Sequence, residues 1–111
     1  MIIEVVEDFE SVEKHTFHQD LTKGISVKKD PKTIFFTPKG FAKTFTPERI
    51  RVLLLMKKKN FSSISELSKQ LNRPFESVHR DIKHLESVHL IELKKDNKSL
   101  KPIIANFSFK F

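Results

Sequence analysis

Two short amphipathic segments separated by a proline break restrict the possible folds of this 111-residue chain more than any other feature. Residues 63–72 open with the capping box Ser63-Ile64-Ser65-Glu66 and predict a helix that ends by Asn72. Pro74 then restarts the chain, because proline breaks a continuing helix and suits the first turn of a new one. Residues 75–88 predict the second helix, so we expect two helices joined by a turn of about three residues.

The second predicted helix has two chemically different sides. Val78, Ile82 and Leu85 recur at the spacing of a buried helical stripe. The polar residues therefore lie on or beside the outward side, which in a helix-turn-helix enters the major groove of DNA. We expect DNA contacts from Ser77, His79, Arg80, Lys83 and His84.

A further helix start lies upstream, at Thr46-Pro47-Glu48. Threonine can accept hydrogen bonds from the free amides of a helix end, proline suits the first helical position, and glutamate complements the positive end of the helix dipole. The pattern predicts a helix over residues 47–59. Its core side is expected to consist of Ile50, Leu53 and Leu54.

Residues 90–94 and 99–109 predict two strands joined by a polar turn at 96–98, and Phe107, Phe109 and Phe111 alternate at the end of the chain. A helix-turn-helix followed by such a hairpin is a winged helix, so the expected fold class is α+β, mainly α: a winged helix-turn-helix with an N-terminal helical arm and a short strand. We expect phosphate contacts from Arg73 and from the basic hairpin residues Lys94, Lys95, Lys98 and Lys101.

The N-terminal residues differ in charge from the rest of the chain. Residues 1–30 hold four lysines and seven acids, whereas residues 31–111 hold 17 basic and seven acidic groups. Asp30-Pro31 marks the expected boundary, because proline disfavours helix in the residue before it. The predicted domains are therefore an acidic N-terminal arm, residues 1–30, and a winged helix-turn-helix DNA-binding domain, residues 31–111.

Within the arm, a loose helical spacing predicts a helix over residues 9–23 that Gly24 ends. Residues 32–37 predict a short strand, and Pro38-Lys39-Gly40 predicts a turn. The acidic arm is the element expected to contact a protein partner. Its apolar residues, which could instead cap the chain's own core or a dimer contact, are Phe9, Val12, Phe17 and Leu21.

Overall charge favours a polyanionic partner, since 21 Lys and Arg against 14 Asp and Glu give a net charge of +7 and a pI near 9.7. The chain has no cysteine, which excludes disulfides and thiolate zinc sites. No apolar run approaches the roughly 20 residues of a membrane span. A cytoplasmic location is expected.

An enzymatic role is not expected. With two glycines in the whole chain there is no glycine-rich phosphate loop. His15 and His18 could share a helix face, and His79 and His84 cluster with Lys83, but neither group has a third convergent ligand or an activated nucleophile. We therefore expect no catalytic residues, no metal site and no cofactor.

The two predicted helices over residues 63–72 and 75–88 resemble the second and third helices of winged helix-turn-helix regulators. The chain as a whole resembles a family of short winged-helix DNA-binding proteins of bacteria and archaea, many of them antitoxin components of toxin-antitoxin pairs. That resemblance implies an intracellular dimeric repressor that also binds and neutralises a small toxin. The residues that carry it are Phe45-Thr46-Pro47-Glu48-Arg49, Ser63, Ile64, Glu66, Leu67, Leu71, Arg73, Val78-His79-Arg80-Asp81-Ile82, Leu85, Glu86, Leu90 and Ile91.

Two positions depart from the family pattern. Where the pattern has glycine after the second helix of the pair, this chain has Val88-His89, so His89 is expected to take the left-handed conformation at a cost of about 1 kcal/mol. Ser68 replaces the usual alanine, and its hydroxyl then needs a backbone acceptor.

A homodimer is expected, because one recognition helix reads only a few base pairs and two copies fit a two-fold symmetric site. The dimer contact is expected at the arm, residues 34–36 and the terminal phenylalanines. The alternative function is a winged-helix protein-interaction module that does not read DNA. Arg80 and Lys83 favour the DNA reader, since interaction modules lose the basic outward residues of this helix.

Overall fold

The structure, a computed structural model, describes residues 1–9, 16–20, 24–28 and 32–110, with the backbone alone for residues 16–20. The described residues group into two compact units. The N-terminal unit comprises Met1–Phe45 and Asn106–Phe111, and the helical unit comprises Thr46–Ala105. The predicted domain boundary at Asp30-Pro31 lies outside the described residues.

Along the described residues, four strands come first, four helices follow and three strands come last. In chain order they are β1 (Ile2–Val5), β2 (Thr16–Asp20), β3 (Ile25–Lys28), β4 (Thr33–Phe36), α1 (Pro38–Thr44), α2 (Pro47–Lys58), α3 (Ile64–Leu71), α4 (Phe75–Ser87), β5 (Ile91–Asp96), β6 (Ser99–Ile104) and β7 (Ser108–Lys110). None of these helices, among the residues that the structure describes, combines the length and apolar character that crossing a bilayer requires.

The N-terminal unit is built on a mixed five-stranded sheet with the strand order β2-β3-β4-β1-β7. β1 runs parallel to both β4 and β7, while β3 is antiparallel to β2 and β4. Ile3 lies beside Ile34, which lies beside Val27, and all three side chains are fully buried. This row of branched apolar residues across three strands forms the centre of the unit's core.

The prediction of a mainly α winged helix-turn-helix chain with a helical arm is wrong. Thr16–Asp20, inside the predicted arm helix, is a strand that pairs antiparallel with β3. Gly24, expected to end a helix, instead has φ +64 directly before β3. The apolar spacing over residues 9–23 was only loosely helical, and the sheet pairing satisfies the backbone of residues 16–20 instead.

The strand predicted at residues 32–37 is confirmed as β4, but the turn predicted at Pro38-Lys39-Gly40 is wrong, because α1 begins there. Thr37 Oγ1 accepts a hydrogen bond from the Gly40 amide at 3.1 Å, and Pro38 occupies the first turn. This helix brings Phe41 and Phe45 against the Phe109 ring, with ring centroids 6.1 and 5.5 Å away. The aromatic cluster therefore ties β7 to α1.

The part of the predicted dimer contact that lies at residues 34–36 is wrong for Ile34 and Phe36. Ile34 and Phe36 are fully buried inside the chain's own N-terminal unit and have no surface to offer a second copy. Phe109 is partly exposed but belongs to the aromatic cluster, and Phe111 lies outside the described residues. Homodimer formation itself stays a prediction.

In the helical unit, the predicted helices are confirmed as α2, α3 and α4. Thr46 Oγ1 accepts from the Arg49 amide at 3.3 Å and Ser63 Oγ from the Glu66 amide at 3.1 Å. The Glu66 carboxylate, however, accepts from the amide of Ser62 rather than from that of Ser63. The predicted buried stripe of α4 is fully buried: Val78, Ile82 and Leu85.

The predicted core side of α2 is wrong in two of its three residues. Leu53 is buried, but Ile50 is 40% exposed and Leu54 is 56% exposed. The helix instead buries Val52, Leu53 and Met56, because its hydrophobic run from Val52 to Met56 leaves the choice of face to packing against the other elements.

The hairpin of β5 and β6 turns at Asn97, which has φ +57. The prediction of a single strand over residues 99–109 is wrong, because β6 ends at Ile104 and a separate strand, β7, follows. β7 pairs with β1 in the sheet of the N-terminal unit. Of the alternating phenylalanines, Phe109 thus lies in a separate strand.

Both predicted consequences of the departures from the family pattern are confirmed. His89 has φ +67, and its amide and that of Leu90 bond to the carbonyls of Glu86 and Leu85, which closes the end of α4 as glycine would. The buried Ser68 hydroxyl donates to the Ser65 carbonyl at 2.8 Å.

We predict that Gly24→Ala destabilises the N-terminal unit by about 2 to 4 kcal/mol. The added Cβ would lie 2.5 Å from Thr37 Oγ1 and 2.8 Å from the Gly40 Cα, at a φ of +64. Urea unfolding followed by circular dichroism measures the loss. Asn97→Ala is the control, since Asn97 also has positive φ but is exposed, and its cost should be about 1 kcal/mol. Equal losses would contradict the steric argument.

We also predict that Glu66 contributes to the acid sensitivity of folding. The Ser62 hydroxyl, the Ser62 amide and, more weakly, Lys59 hold the pKa of Glu66 below its usual value. A lowered pKa gives stability that is present above the unfolded pKa and is lost as the pH falls through the folded one. Glu66→Gln should therefore lose less stability than the wild type between about pH 6 and about pH 3. An unchanged dependence of stability on pH in Glu66→Gln would contradict this role of Glu66.

Candidate nucleic-acid interface

The candidate interface depends on a buried carboxylate on α4. Asp81 Oδ2 lies 2.7 Å from Arg73 Nη2, and Asp81 Oδ1 lies 3.1 Å from Arg49 Nε. The Asp81 side chain is 11% exposed. Because Arg49 lies in the first turn of α2 and Arg73 precedes α4, this group, the Asp81 clamp, joins three segments of the helical unit.

The buried residues of α4 show which side of the helix faces outward. Asp81 and the buried stripe occupy the inner side of the helix. Arg80 precedes Asp81 by one position and Lys83 follows it by two, so both point away from the core. Arg80 and Lys83 are both exposed, as the sequence predicts. Ser77, His79 and His84 are half-buried at the margins of this surface.

The two basic side chains of this surface differ in their partners. Lys83 Nζ lies 2.9 Å from the Glu86 carboxylate, one turn further along α4. Arg80 makes no ion pair within the residues that the structure describes. Glu76, also exposed, lies one turn before Arg80 and lowers the net charge of the surface. The surface of α4 is therefore mixed in charge, with the Arg80 guanidinium available for a ligand.

Phe75 is an exposed aromatic residue on this surface that the sequence analysis did not select. Its ring stacks on that of His79, with 5.6 Å between centroids and 24° between planes. The signal was present in the sequence, because positions four apart lie on one helical face. The pair occupies the first turns of α4, the end from which recognition helices contact bases.

The structure separates the four predicted hairpin lysines. Lys94 and Lys101 are directly opposite each other in the β5–β6 register and share one face of the hairpin. Lys95 lies opposite Leu100 on the other face, and Lys98 lies in the turn. Like charges in a directly opposed pair destabilise a hairpin. An anion bound near Lys94 and Lys101 would reduce the repulsion between them.

Arg73 was predicted to bind phosphate, but the structure gives it a contact that sequence reasoning missed. Its Nη2 binds Asp81, and its Nη1 is buried without a hydrogen-bond partner among the described residues. The missed signal lies in the motif itself, since Arg49, Arg73 and Asp81 all belong to the stretches that carry the family resemblance. The phosphate contact of Arg73 stays a prediction.

The predicted partner-binding residues of the arm do not form a described surface. Val12 and Leu21 lie outside the described residues, and the structure gives only the backbone of Phe17. Phe9 is half-buried after β1. A toxin partner stays a prediction. Within the described ranges, no three His, Asp or Glu side chains come close enough to hold a metal ion.

One family comparison covers this part of the chain. The family model HVO_A0114 matches residues 44–107, more than half of the sequence. The chain belongs to the HVO_A0114 family. The matched segment contains α2, α3, α4, β5 and β6, and with them the Asp81 clamp. HVO_A0114 is an uncharacterised family, so membership assigns no activity, and the resemblance to winged-helix antitoxins stays a prediction. Among curated proteins, none matches the chain.

We predict that Asp81→Asn destabilises the helical unit by about 2 to 4 kcal/mol, because it removes the carboxylate charge that faces two largely buried guanidinium groups. Asp96→Asn is the matched control, since Asp96 is exposed beside the hairpin turn and its loss should change the free energy of unfolding by about 0.5 kcal/mol or less. Urea unfolding measures both. A loss for Asp81→Asn no larger than the control would show that the clamp does not hold α4.

Proposed function

We propose that the protein is a cytoplasmic, sequence-specific double-stranded DNA-binding transcriptional regulator that acts as a homodimer and represses its own gene. The observation that carries the proposal is the exposed side of α4, where Arg80 has no ionic partner among the described residues while the opposite side is fixed by the Asp81 clamp. A rigid helix with an available arginine meets the main requirement of major-groove recognition.

Arg80 is assigned the base contact. The guanidinium group binds guanine O6 and N7 in a bidentate manner, the commonest specific contact to DNA. Since Arg80 makes no ion pair within the described part of the chain, binding does not first have to break one. Lys83 is available at little cost, because its exposed pair with Glu86 is worth only about 0 to 1 kcal/mol.

The hairpin is assigned phosphate contacts. Lys94 and Lys101 repel each other across the strands, and a phosphate between or beside them would replace repulsion by attraction. Such contacts position the protein without reading sequence. Lys98, an exposed residue of the turn, adds a further positive charge at the hairpin end.

Two copies are part of the proposal because α4 has 13 residues and its outward side can reach only a few base pairs. Two-fold related copies would double the site and give half-sites about 34 Å apart. The net charge of the helical unit supports binding to a polyanion: it holds 13 Lys and Arg against seven Asp and Glu.

We predict that Arg80→Ala lowers the specificity of DNA binding by about 1 to 3 kcal/mol. Specificity here is the ratio of affinities for a duplex that the full chain selects from random-sequence DNA and for a scrambled duplex, both measured by fluorescence anisotropy. Lys94→Ala should weaken binding to both duplexes alike and reduce the slope of log affinity against log salt by about one.

Arg51→Ala is the matched control. Arg51 is an exposed arginine of the same unit on α2, so its removal changes the charge by the same amount without touching α4. It should leave the specificity ratio unchanged. If Arg80→Ala and Arg51→Ala alter the ratio equally, α4 does not read sequence. If the wild type binds no duplex, the alternative of a protein-interaction module replaces this proposal.

A further inference from the structure

The phenyl ring of Phe75, at the start of α4, is exposed and is not part of the buried core. Phe75 is 48% exposed and is the first residue of the helix, directly after Pro74. The core of the unit is formed by other residues of α4, such as Val78 and Ile82, which are fully buried. The Phe75 ring is therefore available for contact with a ligand.

The ring is held rather than free to rotate. Its stacking on His79, at 5.6 Å and 24° between planes, restricts the side-chain torsions of both residues. When a ligand binds to the ring, the Phe75 side chain therefore loses little conformational entropy. Phe75, His79 and Lys83 follow one another at four-residue spacing, so they form one stripe along the helix beside Arg80.

We infer that Phe75 contacts the C5 methyl group of a thymine in the major groove, an inference that rests on the proposed function. Among the base edges in that groove, the thymine methyl is the apolar group, and phenylalanine is one of the side chains that contact it. The first turn of a recognition helix is the part that contacts base edges. Phe75 is thus a residue that determines specificity in the proposed site.

The test removes the methyl group itself. The duplex that the full chain selects from random-sequence DNA is prepared once with thymine and once with uracil, which pairs identically but lacks the methyl. The wild type should bind the uracil duplex about three- to tenfold more weakly, the effect expected for one buried methyl group. Phe75→Ala should bind both duplexes with equal affinity.

Two further variants complete the experiment. Leu54→Ala removes an exposed apolar residue of α2 in the same unit and should keep the wild-type preference for thymine. Phe75→Gln keeps a side chain of similar length with good helix propensity, so it tests the same contact if the alanine variant fails to fold, and it should lose the preference.

The outcomes separate this inference from the function on which it rests. Saturable, sequence-specific binding with equal affinity for thymine and uracil duplexes overturns the Phe75 contact and leaves the DNA-binding proposal standing. A thymine preference that persists in Phe75→Ala and Phe75→Gln assigns the methyl contact elsewhere and also overturns it. If the wild type binds neither duplex, both proposals fall.

Discussion

The arrangement of the helical unit depends on one carboxylate shared by two arginines. Asp81 forms ion pairs with Arg49 of α2 and with Arg73 of the segment before α4, and the Asp81 side chain is largely buried. Such a group adds little net stability, because desolvating three charges offsets their attraction, but breaking it is costly. It joins α4 to α2 on the inner side of α4, which also carries the buried stripe.

Much of the helical unit could be predicted because its signals are local. The Thr46 and Ser63 caps and the two prolines at 47 and 74 fix where helices begin, whatever the rest of the chain does. The spacing of the buried α4 stripe then gives its outward residues, including Arg80. The Asp81 clamp could not be predicted from spacing alone, since Arg49 is distant in sequence and an arginine beside a basic surface also suits phosphate binding.

The N-terminal unit could not be predicted in the same way, because its order comes from pairing between distant segments. β1 pairs with β4 and with β7, which lies at the opposite end of the chain. A strand as short as Thr16–Asp20 is defined by its neighbour rather than by its own residues, and a loose apolar spacing there suggested a helix. Similarly, the exposure of Ile50 and Leu54 follows from packing against other elements, which α2's own sequence does not specify.

The central claim is that the Asp81 clamp holds α4 so that its outward side, together with one face of the hairpin, binds duplex DNA. The most direct measurement is a two-dimensional NMR titration of the isotope-labelled full chain with its selected duplex. The account predicts that the largest amide shift changes fall in residues 75–84 and 94–101, with small changes around Ile50 and Leu54 on α2. Changes concentrated in the N-terminal sheet or on α2, with α4 unaffected, would contradict it.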